Sequence, residues 1–333
     1  MAILITGAAG FIGSHLAEEL ITRGEHVAGV DNLSTGSKKN LSRMMDHPHF
    51  DFIEGDISNP SLMDELISSC DTLYHLAASV GVKLVTEKPA SSLVNNMNGI
   101  GLLLELSKKY KVKLFFASSS EVYGKANGGF LCEGDDLRLG PPSVLRWGYG
   151  CSKAMAEYLA LSYYKQYGLS VTIGRFFNIC GPRQIGDYGM VMPRFVASAL
   201  KGEPITVFGD GRQVRSFTSV TDAVHAVIGL MNTPGTEGEV FNVGNTGHIT
   251  IGELAEMVKE MAGSSSSIDY IPYTEAYNTD FEDMMYRVPD ISKIKAATGF
   301  RPQVNLETIV ASVIEYWKGS DSGCRVQGSP DSR

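Results

Sequence analysis

Tyr149 and Lys153 stand four residues apart in Tyr149-Gly150-Cys151-Ser152-Lys153, and an upstream apolar run ends in Ser118-Ser119-Ser120-Glu121-Val122-Tyr123-Gly124. On a helix, positions i and i+4 share a face, so the Lys153 ammonium can approach the Tyr149 phenol. A nearby cation favours the phenolate, pulls a pKa of about 10 toward neutrality and makes the tyrosine a usable base. The hydroxyl of Ser119 or a neighbour could hold the substrate oxygen while its proton leaves. Such a site implies hydride transfer from a carbinol. Taken alone, Tyr-x-x-x-Lys reads better as an exposed helix turn, and the rest of the chain must decide.

The N-terminal segment decides it. Ala2-Ile3-Leu4-Ile5-Thr6 enters Gly7-Ala8-Ala9-Gly10-Phe11-Ile12-Gly13 and then a helical pattern, which spells strand, glycine-rich turn and helix start. Gly7 allows the tight turn, Gly10 lets backbone approach a pyrophosphate, and Gly13 lets helix and strand pack closely. The helix N-terminus offers free N–H groups to phosphates. A second strand, His26 to Val30, ends in Asp31 and Asn32. The Asp31 carboxylate can accept both ribose hydroxyls, favouring NAD over NADP, although Lys38 and Lys39 nearby keep that choice open. Gly55-Asp56-Ile57 follows a third strand where adenine would lie. A fourth, Thr72 to Leu76, runs into Ala77-Ala78, small enough to let a dinucleotide pass.

At 333 residues and 43% hydrophobic composition the chain can bury a large core. No apolar stretch approaches the roughly 18 residues of a membrane span, and Met1-Ala2-Ile3 opens the first strand directly, so a cytoplasmic protein is expected. The five cysteines form no close pair, and neither a disulfide framework nor a metal site is expected. A net charge of −8 argues against nucleic acid as partner. An anionic substrate must then be caught by local arginines, and Arg183, Arg194, Arg212, Arg215 and Arg287 are available.

Strand-like runs alternate with helix-period segments to about residue 177, the mark of a doubly wound parallel α/β sheet of Rossmann type. Ligands then sit at the carboxyl ends of the strands, where Gly7, Asp31, Ala77, Ser119 and Asn178 fall. The expected division is a dinucleotide-binding domain over 1–177 plus about 238–247, a smaller α/β cap over 178–237 and 248–318, and a disordered tail over 319–333. Pro193 is expected to start a helix running to Leu200, and Asp222 to Met231 to form another. The cleft between the two parts is the natural substrate site.

Together these motifs resemble the extended short-chain dehydrogenase/reductases, in their nucleotide-sugar-modifying branch. The resemblance runs to about Trp317. It is carried by Gly7 to Gly13, His75-Leu-Ala-Ala78, Asn96-Met-Asn-Gly99, Ser118 to Gly124, Tyr149-x-x-x-Lys153, Arg175-Phe-Phe-Asn178 with Gly181-Pro-Arg183, Phe208-Gly-Asp-Gly211, Arg215-Ser-Phe217 and Arg287-Val-Pro-Asp290. It implies a tightly held NAD reduced and reoxidised within one turnover, a UDP-sugar substrate, and a homodimer through helices near 92–110 and 149–167. By the same resemblance Asn32 and Asn96 join the cofactor residues, while Asn178, Arg194, Val207, Arg215 and Arg287 contact substrate, with Arg215 and Arg287 on the diphosphate.

The branch includes 4-epimerases, 4,6-dehydratases and uronate decarboxylases, all beginning with oxidation at C4. Dehydratases usually carry Asp-Glu where this chain has Ser120-Glu121, and serine is a poor acid for expelling a hydroxyl. Ser-Glu, together with Arg146-Trp147 and the segment Phe281 to Asp290, resembles the UDP-glucuronate decarboxylases, which make UDP-xylose or its 4-keto form. A 4-epimerase of UDP-glucose, UDP-N-acetylglucosamine or UDP-glucuronate is the alternative. In the decarboxylase reading Ser120, Glu121 and an arginine orient the sugar carboxylate and relay a proton. From the residues alone, Glu121 is equally a loop carboxylate or a helix cap. Ile100 stands where the branch often has Thr, and Cys180 replaces a commoner Tyr or Val. A dinucleotide sensor without catalysis is the third reading, and such proteins commonly lose the Tyr or Lys that this chain keeps.

Overall fold

The computed structural model describes residues 2–78, 89–125, 128–186, 190–276 and 283–319. The chain runs β1 (Ala2–Thr6), α1 (Phe11–Thr22), β2 (His26–Asp31), β3 (Phe50–Glu54), α2 (Pro60–Ser68), β4 (Thr72–His75), α3 (Pro89–Tyr110), β5 (Lys113–Ser119), β6 (Phe130–Leu131), α4 (Trp147–Tyr167) and β7 (Val171–Phe176). It continues with β8 (Ile179–Cys180), α5 (Val191–Lys201), β9 (Ile205–Phe208), β10 (Val214–Ser216), β11 (Thr218–Ser219), α6 (Val220–Asn232) and β12 (Glu239–Val243). Last come β13 (His248–Thr250), α7 (Ile251–Ala262), β14 (Ile268–Ile271), the single turn α8 (Tyr273–Ala276), β15 (Tyr286–Pro289), α9 (Ser292–Thr298) and α10 (Leu306–Gly319). Of the expected tail only Gly319 is described, and it closes α10. Residues 320–333, with Cys324, and Phe281 and Glu282 lie outside the described residues.

Seven strands form one parallel sheet in the order β12-β7-β5-β4-β1-β2-β3. Its central strands are apolar on both sides because both faces are covered by helices. Leu16 and Leu20 of α1 and Val224 and Val227 of α6 pack on one face. Met63 of α2, Leu103 and Leu104 of α3, and Ala156 and Ala160 of α4 pack on the other. A separate core joins α5, α7 and α10 to the strand pair β9–β14 through Phe195, Val207, Leu254 and Val310.

Two boundaries differ from the expected division. Helix α6, assigned from sequence to the cap, packs on α1 and β7, because its buried stripe of Ala223, Val224 and Val227 belongs to the main core. Likewise α9 packs on α6 and β12, burying Ile294 there. Helix periodicity reports that a stripe is buried, not which layer buries it. Helix α5 also begins at Val191, two residues before Pro193. A proline fits that first turn because the backbone N–H groups there have no intrahelical partner.

A second sheet has four strands in the order β13-β10-β15-β6. Its register sets Arg215 of β10 directly against Arg287 of β15. Asn242 of β12, fully buried, joins the two sheets: its Nδ2 donates to the carbonyls of Leu131 (2.8 Å) and Asp290 (3.0 Å), and its Oδ1 accepts from the Tyr123 hydroxyl (2.7 Å). Asn242→Ala removes three hydrogen bonds and leaves the Leu131 carbonyl only its bond from Asp290 N–H, with an expected cost of about 2–4 kcal/mol in the urea unfolding free energy. A loss under about 0.5 kcal/mol would contradict this account of the junction.

Candidate active site

The glycine turn forms as its residue types require. Gly7 has φ +74°, and a Cβ there would stand 2.8 Å from the Ala77 nitrogen. A Cβ on Gly13 would lie 2.1 Å from the Gly7 oxygen, so the first turn of α1 rests on the β1 turn. Gly10 caps α1 without any side-chain bond, leaving the initial N–H groups of Phe11 and Ile12 for a phosphate. Asp31 is nearly buried. Its Oδ2 accepts from Ala9 N–H (3.0 Å) and its Oδ1 from Leu33 N–H (2.8 Å), which leaves acceptor capacity for a ribose hydroxyl. Burial raises its pKa, and the N–H groups of Leu33, Ala9 and Gly10 oppose the rise.

Asn32 Nδ2 donates to Asp56 Oδ2 (2.8 Å) at the neighbouring strand end, and Ile57 packs over Gly99 of α3. Ala77 N–H donates to Thr6 Oγ1 (3.3 Å), seating Leu76, Ala77 and Ala78 beside the glycine turn. Asn96 lies on α3, partly buried. These groups line one end of the parallel sheet. The narrow backbone cradle and the half-satisfied Asp31 suit a dinucleotide such as NAD.

Helix α4 presents Tyr149 and Lys153 at the ends of β5 and β7, as their spacing requires. The expected pairing differs in detail. Lys153 is buried and donates to the Ala117 carbonyl of β5 (2.7 Å). Burial, opposed by Glu157, lowers its pKa to about 8. Burial also pushes the Tyr149 phenol above its ordinary value, Glu121 adds to the rise, and the Ser119 hydrogen bond and Arg287 oppose it. Burial is thus the largest influence on the phenol's acidity, with Glu121, Ser119 and Arg287 next. Ser119 also accepts from Glu121 N–H (3.2 Å), fixing the turn Ser120–Tyr123. Ser120 is buried, so the hydroxyl partnering the phenol is that of Ser119.

Around Glu121 lies a cluster of ions drawn from four parts of the chain. Arg146, at the start of α4, donates Nη1 to Glu121 Oε2 (2.9 Å) and Nη2 to Asp283 Oδ1 (3.1 Å). Arg287 donates to the other Glu121 oxygen and to Asn178 Oδ1. Arg215 donates Nη2 to Asp283 Oδ1 (3.0 Å), and the Tyr273 hydroxyl donates to Asp283 Oδ2 (2.7 Å). Three guanidiniums thus face two carboxylates, leaving one positive charge in excess.

Burial alone would raise the Glu121 pKa; Arg146, Arg287 and Arg215 outweigh it and hold the carboxyl at about 2. Asp283 is lowered as well, its burial outweighed by Arg215 and Arg146. A carboxyl held ionised at neutral pH has no proton of its own to donate, which favours an electrostatic role for Glu121 over the expected relay. Arg287 belongs with Glu121 and Asn178 beside the tyrosine, and Arg215 with Asp283; the expectation had grouped the two only at a diphosphate.

Further out, Arg194 donates to the Thr206 carbonyl (3.2 Å) and lies 4.3 Å from the Phe208 ring centroid. Val207 was expected to touch substrate, yet its side chain is fully buried in the cap core, so only its backbone is available. Arg183 is tied to Glu18 of α1, and Arg212 stands exposed beside Asp210. Sequence reasoning took in Asp283 only within the segment Phe281 to Asp290, and it missed Tyr273 and Gln213, whose Nε2 donates to the Tyr273 oxygen (2.6 Å). It also missed Glu157, and gave its partner beneath Lys153, Arg175, no role beyond a place in a motif. A charged residue at the next i+4 step after Lys153 was a legible signal for Glu157. Among the described residues no cluster of side chains suits a metal ion and no helix is long and apolar enough to cross a membrane.

A family model described as the NAD dependent epimerase/dehydratase family matches residues 3–244. The chain belongs to this family. It is 41% identical to a UDP-N-acetyl-alpha-D-glucosaminuronate decarboxylase of Bacillus cytotoxicus, over 95% of this chain and 97% of that one. It is 36% identical to UDP-glucuronic acid decarboxylase 1 of Arabidopsis thaliana, over 92% of this chain and 67% of the relative. Among solved structures, a Bacillus cereus UDP-glucuronic acid 4-epimerase in complex with UDP-glucuronic acid and NAD superposes with a TM-score of 0.86, at 31% identity over 96% of this chain and 100% of that one.

The depressed Glu121 carboxyl has a consequence for stability. A carboxyl whose folded pKa lies below its ordinary 4.5 stabilises the fold above 4.5, and that contribution is lost as pH falls toward about 2. Urea unfolding should therefore find Glu121→Gln less stable than the parent at pH 7, with the gap closing between pH 4.5 and about 2. A gap independent of pH over that window would show that the arginines do not hold Glu121 ionised.

Proposed function

We propose that this chain is an NAD-dependent decarboxylase of UDP-bound uronates, with UDP-glucuronate as its reference substrate. The observation that carries the reading is the cluster of Arg146, Arg215 and Arg287 around Glu121, beside Tyr149 and Ser119. A hexose without a carboxylate has no group that calls for this arrangement. The names of the relatives support it, since both decarboxylases act on uronates that share a C4 hydroxyl and a C6 carboxylate.

When bound, NAD would take hydride from C4 and return it at the end of the cycle. Tyr149, as phenolate, takes the proton of the C4 hydroxyl, with Ser119 hydrogen-bonded to the same oxygen and the Lys153 ammonium one helical turn away. The ketone so formed is β to the carboxylate. The C5–C6 bond can then break, carbon dioxide leaves, and the bonding electrons move onto the C4 oxygen, where the protonated Tyr149 and Ser119 donate hydrogen bonds. Arg287 orients the sugar carboxylate. Ionised Glu121, sharing that guanidinium, opposes the carboxylate's charge until carbon dioxide departs, an effect felt in the ground state more than in the transition state. The proton added at C5 comes from solvent or from a group other than Glu121, and Tyr149 returns its own proton to the C4 oxygen.

The reading extends to a homodimer. Val94 of α3 and Met155 and Tyr158 of α4 are exposed apolar groups on two neighbouring helices, which supports a helical interface there. A cytoplasmic location goes with the use of NAD and nucleotide sugars.

Incubation with NAD and either UDP-glucuronate or UDP-N-acetylglucosaminuronate should yield carbon dioxide and a nucleotide carrying one carbon fewer. A six-carbon C4 epimer as the sole product would overturn the proposal in favour of an epimerase. Tyr149→Phe should lower kcat at least about 100-fold while NAD affinity, read by calorimetry, stays within a few-fold of the parent.

A further inference from the structure

Tyr149, Lys153 and Glu157 follow one another at i, i+4 and i+8 along one face of α4, and the mechanism uses only the first two. Glu157 is 3% exposed. Arg175 of β7, equally buried, grips it with Nε on Oε1 (3.0 Å) and Nη2 on Oε2 (2.7 Å), and the Ser118 hydroxyl donates to Oε1 (2.5 Å). Two successive turns of the helix thus hold two successive residues of β5: Lys153 binds the Ala117 carbonyl and Glu157 binds Ser118. The next residue, Ser119, is the partner of the phenol.

We propose that Glu157 is a positioning residue that acts through Lys153 and Ser118: its carboxylate keeps the buried lysine protonated and holds the end of β5 where Ser119 meets Tyr149. This rests on the functional reading above, in which Tyr149 and Lys153 do the proton chemistry. A lysine taken out of water loses its proton readily unless a negative charge stands close. Glu157 supplies that charge, and the burial that lowers the Lys153 pKa is opposed by Glu157. Arg175 holds the carboxylate in place and partly offsets its charge.

The other groups around the pair are accounted for. Tyr123 stacks under the Arg175 guanidinium, 4.6 Å from it, and hydrogen-bonds Asn242. Arg175 Nη1 also reaches the Glu133 carbonyl (3.4 Å). His75 of β4, which is close enough to sense the Lys153 charge, is kept neutral by burial, with Lys153 adding to the effect, at about 3. Removing the carboxylate or the guanidinium therefore moves the field at Lys153 in opposite directions, which a merely structural pair would not do.

The test compares the parent with Glu157→Gln and Arg175→Gln, each keeping a hydrogen-bonding amide in the buried site. NMR titration of isotope-labelled lysines, with the Lys153 signal assigned through Lys153→Met, should place the deprotonation of Lys153 at lower pH in Glu157→Gln and at higher pH in Arg175→Gln. A displacement of at least about half a pH unit each way is expected. The alkaline limb of kcat for UDP-glucuronate decarboxylation should move in the same two directions, while KM changes less than kcat. Shifts in one common direction, or none in either variant, would overturn the role of Glu157. A parent protein that titrates as described but turns over neither uronate would overturn the functional reading instead and leave the Glu157–Lys153 coupling standing.

Discussion

The ion cluster at Glu121 is the interaction on which the rest of the site depends. β-sheet register sets Arg215 and Arg287 side by side on adjacent strands, an arrangement of like charges that costs energy unless carboxylates stand between. Glu121 and Asp283 stand there, one from the loop after β5 and one from the segment leading into β15. Arg146 bridges them from the start of α4. The cluster therefore joins the β5 loop, the catalytic helix and the cap strands into one body. Removing a single partner would leave a buried charge uncompensated, which costs far more than the intact pair contributes.

Beneath that cluster the same logic recurs in a drier setting. Glu157 and Arg175 pair inside the main sheet, Tyr123 covers the guanidinium, and Asn242 carries the hydrogen bonding on to the cap strands. Every member has a partner, as buried polar networks must if they are not to destabilise a fold. The result is a rigid floor under Tyr149 and Ser119. Catalysis by positioning needs such a floor, because a reacting group displaced by an ångström loses much of its advantage.

Much of this was legible in the sequence because it is local. Strand, glycine turn and helix follow from residues 2 to 22, and each glycine sits where a Cβ would strike backbone. The Tyr149–Lys153 spacing needed only the helical repeat. The ion cluster was not legible as a cluster, since its pairs join residues 25, 137 and 166 positions apart, and no local pattern reports such distances. Arg146 and Asp283 had been noticed only as parts of motifs that carry a likeness. Val207 misled because a strand residue alternates faces, and its side chain took the core. Helices α6 and α9 were assigned to the wrong layer because amphipathicity has no address.

The central claim is that the sugar's carboxylate is received by Arg287 next to Glu121 and lost there. A crystal structure of the Tyr149→Phe protein with NAD and UDP-glucuronate tests it most directly. The carboxylate should lie within hydrogen-bonding distance of the Arg287 guanidinium, with the C4 oxygen against Ser119 and residue 149. A carboxylate turned to solvent, with the diphosphate on Arg287 in its place, would contradict the account.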